Sequence, residues 1–173
     1  MKSKTAILLA MHGMPPNDFP QEDLAEWRSL AARLGPSNGK ERATPEKRYL
    51  ELEEKIRTWP RNAANDPYFA ASYEIARHLE EKTGCEVFVG FNEFCNPTFE
   101  DSFAGMVMKG AEKAVVVTPM MTRGGSHSEV DIPQAIARAQ KKYPRLAISY
   151  VWPFDVPEMA EFLSEQIKKK LKI

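Results

Sequence analysis

Short apolar runs along the chain predict the strands of a sheet that is covered on both faces. The two clearest runs lie at residues 6–10 and 114–117, and neither alternates with polar residues. Unbroken runs of this kind are typical of parallel strands, which bury both of their faces. The second run extends to a strand over residues 113–119, and two more strands are predicted at residues 86–91 and 146–152.

Apolar residues at helical spacing predict six helices between and after these strands. Thr44 and Pro45 form a typical helix start, and Gly84 is a typical stop after the third helix. From residue 86 onward strands and helices alternate, which implies right-handed crossovers between parallel strands. The sequence therefore predicts an α/β fold with a small parallel four-stranded sheet flanked by helices. The predicted helices span residues 21–34, 45–59, 66–83, 98–109, 132–141 and 156–171.

Residues 14–64 are predicted to form a helical insertion after the first strand. The segment contains enough apolar side chains to pack, among them Trp27, Leu52 and Trp59. Two interpretations are open. The insertion either adds helical cover to one face of the sheet or forms a lid over the strand ends, since it begins beside His12. The length of 173 residues favours a single domain over 1–173 that includes the insertion.

Charge and cysteine usage exclude several classes of function. The chain has 24 basic and 24 acidic residues, so its formal net charge of zero predicts neither nucleic acid nor a membrane as a partner. The apolar segment near its start is too short for a secretory signal or a spanning helix, which predicts a cytoplasmic protein. Cys85 and Cys95 lack metal-ligand spacing and are expected to be buried, reduced thiols.

Three side chains that follow three predicted strands form the candidate chemical centre. His12 follows the first strand, Glu93 the second and His127 the third. Ligands of open parallel sheets bind at the edge where the carboxyl ends of the strands meet. A single histidine there is more often structural, but two imidazoles and a carboxylate together suit Fe, Co, Ni or Zn and leave positions open for a further ligand.

These residues carry a resemblance to a known family. The pattern is His12-Gly13 after the first strand, Glu93 after the second, and Pro119, His127 and the run 131–133 after the third. It resembles the class II chelatases of tetrapyrrole synthesis, most of all the small sirohydrochlorin cobaltochelatases and ferrochelatases. The resemblance covers the first strand and roughly residues 73–173, and it does not account for the insertion.

The resemblance implies an enzyme that inserts a divalent metal into a sirohydrochlorin-type tetrapyrrole in cobalamin-type or siroheme-type biosynthesis. It implies Co²⁺ as the metal substrate, with Fe²⁺ or Ni²⁺ as alternatives, and no organic cofactor. His12, Glu93 and His127 would bind the metal and carry the catalysis. This chemistry suits imidazole, which binds a metal through a neutral nitrogen or accepts a proton that the ring releases. The fold would be a flavodoxin-like half of a two-lobed chelatase, assembled as a homodimer.

The segment after the third strand supplies candidates for holding the tetrapyrrole. Gly124 and Gly125 allow the backbone to approach a flat ring and to present N–H groups to a carboxylate. Arg123 can pair with a carboxylate arm of the ring, and Lys40, Arg42 and Arg61 are weaker candidates for the same role. The predicted ring-binding set is Met120, Arg123, Gly124, Gly125 and Ser126.

Other residues near the histidines have ordinary structural interpretations. Asp131 is expected to cap the helix that follows it, with a hydrogen bond to a histidine ring N–H as the alternative. His78 lies on a predicted helix among charged residues and is expected at the surface. Met11, Met14, Met120 and Met121 are expected to line the core or the crevice rather than to bind metal.

Alternative functions remain open on different grounds. A histidine phosphatase also places His-Gly after its first strand, but it needs an arginine just before that histidine, where this chain has Met11. A hydrolase built on Ser126, His127 and Asp131 is disfavoured because neighbours on one loop rarely reach triad geometry. A non-catalytic carrier of metal or tetrapyrrole would use the same residues as the enzyme.

Overall fold

The computed structural model describes residues 4–34 and 47–172. Within these ranges all four predicted strands and all six predicted helices are present, and the predicted helix start at Thr44 and Pro45 lies outside the described residues. None of the described helices is long and apolar enough to cross a membrane. The elements are β1 (Thr5–Met11), α1 (Gln21–Leu34), α2 (Lys47–Thr58), α3 (Pro67–Thr83), β2 (Glu86–Phe91), α4 (Phe99–Met108), β3 (Lys113–Val117), a π-helical turn (His127–Asp131), α5 (Ile132–Lys142), β4 (Ala147–Tyr150) and α6 (Val156–Leu171).

The four strands form one parallel sheet in the order β2-β1-β3-β4. The central strand β1 pairs on one side with β2, where Ala10 stands opposite Gly90, and on the other with β3, where Leu9 stands opposite Val117. Because all strands run the same way, their carboxyl ends share one edge of the sheet. The predicted α/β fold class is confirmed.

Helices cover the two faces of the sheet unevenly. On the first face α4 and α5 bury alternate residues of β1 and β3, such as Leu8 and Val116. On the second face α3 packs over β1 and β2, where it contacts Leu9 and Val89. Beyond β3 this second face is less covered. Val115 is half-buried there, and its partner Ser149 on β4 is exposed.

The insertion packs at the strand ends and not on a face of the sheet. Helices α1 and α2 share two apolar clusters, one around Leu52 and one around Phe19, and the second includes Phe94 from the loop after β2. Among the described residues, the two clusters that cover the sheet contain no member of the insertion. Of the two interpretations, the position beside the strand ends agrees with the structure, and the alternative, added cover on a face of the sheet, is not what the described residues show.

A buried ion pair ties the insertion to the strand-end loops. Arg61 and Asp66 have side chains that are 4% and 1% exposed, and Nη1 lies 2.5 Å from Oδ2. The same guanidinium donates to the carbonyls of Met14, Ile56 and Phe94. The interpretation of Arg61 as a cation for a carboxylate arm is therefore wrong, because the side chain is buried and paired. Lys40 and Arg42 lie outside the described residues.

The loops after β1 and β2 run in direct contact at the carboxyl edge. The Glu93 N–H donates to the His12 carbonyl at 2.9 Å. Gly13 has φ +96°, and a Cβ placed on it would lie 1.9 Å from the Glu93 carbonyl oxygen. Only glycine fits this close approach of two backbones.

The ion pair predicts a large loss of stability for Asp66→Asn. Asp66 also caps α3 by accepting from the Phe69 N–H at 2.9 Å, a role that asparagine retains. The change therefore removes the charge that compensates buried Arg61, and we expect the free energy of unfolding to fall by about 3 kcal/mol in urea denaturation. The matched control is Asp155→Asn, an exposed cap of α6, which should cost less than about 0.5 kcal/mol. Equal losses in the two variants would refute this account.

The close approach at Gly13 predicts that Gly13→Ala destabilises more than Gly110→Ala. Both glycines have positive φ, but a Cβ on Gly110 would meet nothing within 4 Å. Gly110→Ala should therefore show only the cost of the backbone conformation, about 1 kcal/mol. Gly13→Ala should cost at least about 2 kcal/mol more, because the Glu93 loop must move aside. The check is the difference between their unfolding free energies; a difference near zero would contradict the steric argument.

Candidate functional site

Two histidines meet at the carboxyl edge of the sheet. His12 directly follows β1, and His127 begins the π-helical turn that the chain enters after β3. Their ring centroids lie 4.3 Å apart, with the planes at 72°. Since β1 and β3 are neighbours in the sheet, their carboxyl ends bring these two side chains into direct contact.

His12 is held by neutral partners. Its Nδ1 lies 2.8 Å from the Gly13 carbonyl oxygen, which can only accept, so Nδ1 carries the hydrogen and Nε2 keeps the lone pair. Its backbone N–H donates to the hydroxyl of Tyr68 on α3 at 3.1 Å. The ring of Phe94 lies parallel to the imidazole with centroids 6.3 Å apart.

His127 is held by a carboxylate. Its Nδ1 lies 2.7 Å from Oδ2 of Asp131, and these side chains are 24% and 12% exposed. The helical turn places the two residues on one face because they are four positions apart. Asp131 makes no capping hydrogen bond to α5, so the expected cap is wrong and the alternative, a bond to the histidine ring, is what the structure has.

Asn92 completes this contact from the loop after β2. Its Nδ2 lies 3.1 Å from Asp131 Oδ2 and 2.9 Å from His127 Nδ1. A lone pair on Nδ1 would face the carboxylate at 2.7 Å, which is repulsive, so Nδ1 carries the hydrogen. Asp131 then accepts from both groups, and the lone pair of His127 lies on Nε2.

Glu93 lies beside the histidine pair through its backbone. Its N–H donates to the His12 carbonyl, its own carbonyl accepts from the Cys95 N–H at 2.7 Å, and its side chain is half-buried. The described residues contain no group of three or more His, Cys, Asp or Glu side chains arranged to hold a metal ion. The structure thus brings together His12 and His127, with Asp131 as the carboxylate in contact, and a metal-binding role for Glu93 stays a prediction.

The predicted ring-binding segment flanks the pair on the outside. Gly124, Gly125 and Ser126 are exposed, and Gly124 has φ +85°. Arg123 is 74% exposed and donates to Glu129 at 3.1 Å. The Gly124 N–H and Arg123 together lower the pKa of the Glu129 carboxyl.

The methionines around the site divide into core and surface. Met11 is 3% exposed and belongs to the cluster under α3, and Met120 packs against the cluster under α4 and α5. Met14 is 47% exposed. Its side chain is therefore the one of these three that solvent reaches most readily.

Two further sequence expectations concern residues away from the pair. His78 is exposed and lies beside Arg77 and Glu81, which confirms its surface position. Both cysteines are free thiols; Cys95 is buried, whereas Cys85 is only half-buried. Burial raises the pKa of the Cys95 thiol.

Sequence reasoning missed the residues that support the histidines. Asn92, Tyr68 and Phe94 contact the pair or its partners, and only Asn92 has a recognisable signal, since it directly follows a predicted strand at the site edge. A cavity of about 570 Å³ lies instead at the opposite edge of the sheet, where Glu112 and Leu146 precede β3 and β4. It is remote from the histidines.

Comparison with known proteins identifies a family. The model of the CbiX family matches residues 64–170. Among curated proteins, a sirohydrochlorin ferrochelatase of Bacillus subtilis (strain 168) is 34% identical over 95 residues, which are 51% of this chain and 35% of the relative. A sirohydrochlorin cobaltochelatase of Priestia megaterium is 36% identical over 80 residues, which are 46% of this chain and 26% of the relative. The chain thus spans about a third or less of the curated relatives it matches.

Two solved structures illustrate the likeness in fold. A putative cobalamin (vitamin B12) biosynthesis CbiX protein from Marinobacter aquaeolei VT8 has a TM-score of 0.55 at 15% identity, over 97% of this chain and 98% of that one. SirB from Bacillus subtilis with Fe³⁺ has a TM-score of 0.50 at 22% identity, over 96% of this chain and 47% of that one. At these identities the likeness concerns the fold alone. Because the family model matches more than half of the 173 residues, the protein belongs to the CbiX family.

Proposed function

We propose that this protein inserts a divalent metal into a sirohydrochlorin-type tetrapyrrole. The observation that carries the proposal is the pair His12 and His127, with ring centroids 4.3 Å apart and a lone pair on Nε2 of each. The names of the matched relatives, sirohydrochlorin ferrochelatase and cobaltochelatase, support the substrate class. The metal is a substrate here, since it leaves the protein inside the product.

The two histidines have different partners and therefore suit different tasks. Metal insertion replaces two pyrrole N–H protons by one M²⁺ ion, so two protons leave the ring for each metal that enters. In the proposed reaction His127 is the proton acceptor: the Asp131 carboxylate binds its Nδ1–H, so Nε2 can take the two protons one after the other and pass each to water. His12 is the proposed metal donor, because the Gly13 carbonyl binds its Nδ1–H and leaves the Nε2 lone pair beside His127. Glu93 is proposed as a further metal ligand beside His12.

The proposed metal is Co²⁺, with Fe²⁺ and Ni²⁺ as alternatives, in cobalamin-type or siroheme-type biosynthesis. The ring is proposed to lie against Met120 and the loop of Gly124, Gly125 and Ser126, with Arg123 on a carboxylate arm. Arg123 can exchange its partner because its pair with Glu129 is exposed, and exposed ion pairs contribute little to stability.

A second copy of this chain is proposed as the macromolecular partner. Within the part of the chain that the structure describes, no residue of α6 is buried, and Leu163 and Ile167 on one side of the helix are 52% and 57% exposed. The second face of the sheet beyond β3 is also poorly covered, since Ser149 and Val151 are exposed. In a two-fold dimer the α6 helix of each copy can cover this face of the other, which leaves neither surface free.

The domain organisation and the cellular location are also proposals. We propose that 1–173 acts as a single domain in the cytoplasm. The cluster shared by Phe19, Ile56 and Phe94 supports the domain assignment, because it joins the insertion to a loop of the sheet.

The chelatase proposal predicts that His127→Ala loses metal insertion. Purified protein, sirohydrochlorin and Co²⁺, Fe²⁺ or Ni²⁺ are mixed without oxygen, and initial rates are read from the absorbance of the ring. Loss of the imidazole should lower the protein-dependent rate at least about 100-fold. The control His78→Ala changes an exposed histidine of α3 and should keep the wild-type rate. If the wild-type rate equals the rate without protein and the ring still shows a spectral shift on binding, the protein is a carrier and not a chelatase.

The dimer proposal predicts that Leu163→Glu and Ile167→Glu each give a monomer. Both side chains are more than half exposed within one copy, so a charge there should cost little in a monomer and much in an apolar interface. Light scattering after size-exclusion chromatography measures the mass. Glu161→Lys, on the opposite side of α6, should remain a dimer. A monomeric wild-type protein would overturn the proposal.

A further inference from the structure

The loop that carries Asn92 and Glu93 is held by an arginine of the insertion. Arg57 on α2 donates from Nη1 to the Cys95 carbonyl at 3.0 Å and from Nη2 to the Asn92 carbonyl at 3.2 Å. Its side chain is only 16% exposed. One guanidinium thus binds both ends of the four-residue loop 92–95, a geometry that its planar fork permits and a lysine cannot reproduce.

The same loop contains a residue in an unfavourable backbone conformation. Phe94 has φ +59°, which costs a residue other than glycine of order 1 kcal/mol or more. Its carbonyl accepts from Arg61, and its ring packs among Phe19, Leu24 and Ile56 of the insertion. The contacts with the insertion therefore stabilise a loop shape that the chain would not adopt by itself.

Asn92 connects this loop to the catalytic pair. Its backbone N–H donates to the Met11 carbonyl at 2.9 Å, and its backbone carbonyl accepts from Arg57. Its side chain reaches across to Asp131, which accepts the Nδ1–H of His127. The backbone N–H, the backbone carbonyl and the side-chain NH₂ of Asn92 thus have partners on three different elements, so the position of the amide depends on all of them.

We propose that Asn92 and Arg57 are positioning residues for His127. Asn92 holds the Asp131 carboxylate against Nδ1 of His127, which keeps Nε2 directed at the reacting ligand, and Arg57 holds Asn92. The insertion, for which the family resemblance has no counterpart, is then the support of the site. This assignment deepens the proposed function and rests on it for its catalytic meaning, but the hydrogen bond it describes exists without any substrate.

The direct test is nuclear magnetic resonance of the His127 ring at one fixed pH. In protein labelled with ¹⁵N-histidine, the wild-type Nδ1–H proton should appear at low field and exchange slowly with water. Asn92→Ala should make this exchange at least about tenfold faster, because Asp131 loses its second donor and turns away more often. Arg57→Lys should act in the same direction through the loop. Asp131→Asn provides the reference for a disrupted bond.

Two control variants separate positioning from general loosening. Arg48→Lys alters an exposed arginine on the same helix α2, whose partner is Glu26 of α1, and Asn17→Ala removes an exposed amide from the segment between β1 and α1. Both control variants should leave the exchange of the His127 Nδ1–H at the wild-type rate. Unchanged exchange in Asn92→Ala would overturn the proposal, as would equal acceleration in Arg48→Lys.

The metal-insertion assay then distinguishes this proposal from the function it builds on. If the wild-type enzyme is active, Asn92→Ala should lower its rate about tenfold, in step with the exchange. If the wild-type protein shows no insertion with any metal, the proposed function fails, while the ring spectra still decide whether Asn92 and Arg57 orient His127.

Discussion

The parallel pairing of β1 with both β2 and β3 is the constraint on which the site depends. It brings the chain out of three neighbouring strands at one edge, so that His12, Asn92 and the turn of His127 emerge side by side. Gly13 lets the first two loops touch, since any Cβ there would collide with the Glu93 carbonyl. The histidine contact is therefore a result of the pairing of β1 with β3, and Gly13 lets the loop of Asn92 and Glu93 lie against the loop of His12.

The strands and helices could be predicted from the sequence because each has a local cause. Unbroken apolar runs mark β1 and β3, and Asp66 with Pro67 starts α3 as a cap followed by a first-turn proline. The prediction went wrong at Asp131, which stands two residues before Pro133 but makes no cap. There the carboxylate binds His127, four residues earlier, and Asn92, 39 residues away, and the contact with Asn92 depends on the fold and not on the local pattern.

The position of the insertion could not be predicted either, because it depends on contacts with groups distant in sequence. Its apolar residues indicate that it packs, but not against what. Its location follows from Arg57 and Arg61, which donate to backbone carbonyls of the loop after β2. Every residue has a backbone carbonyl, so this kind of acceptor cannot be recognised from residue types. An arginine that binds backbone carbonyls therefore looks in the sequence like a free surface cation. Burial and pairing with Asp66 distinguish Arg61 from that interpretation.

The two imidazoles form an unequal pair, and the inequality follows from one partner each. A carbonyl oxygen and a carboxylate both fix the tautomer with the hydrogen on Nδ1, so both rings present a lone pair on Nε2. Only the carboxylate is itself bound from a further loop, because Asn92 donates to Asp131. A reaction that releases protons while it takes up a metal can use one ring for each task. In the proposed reaction His127 is the proton acceptor and His12 the metal donor, although the two rings touch.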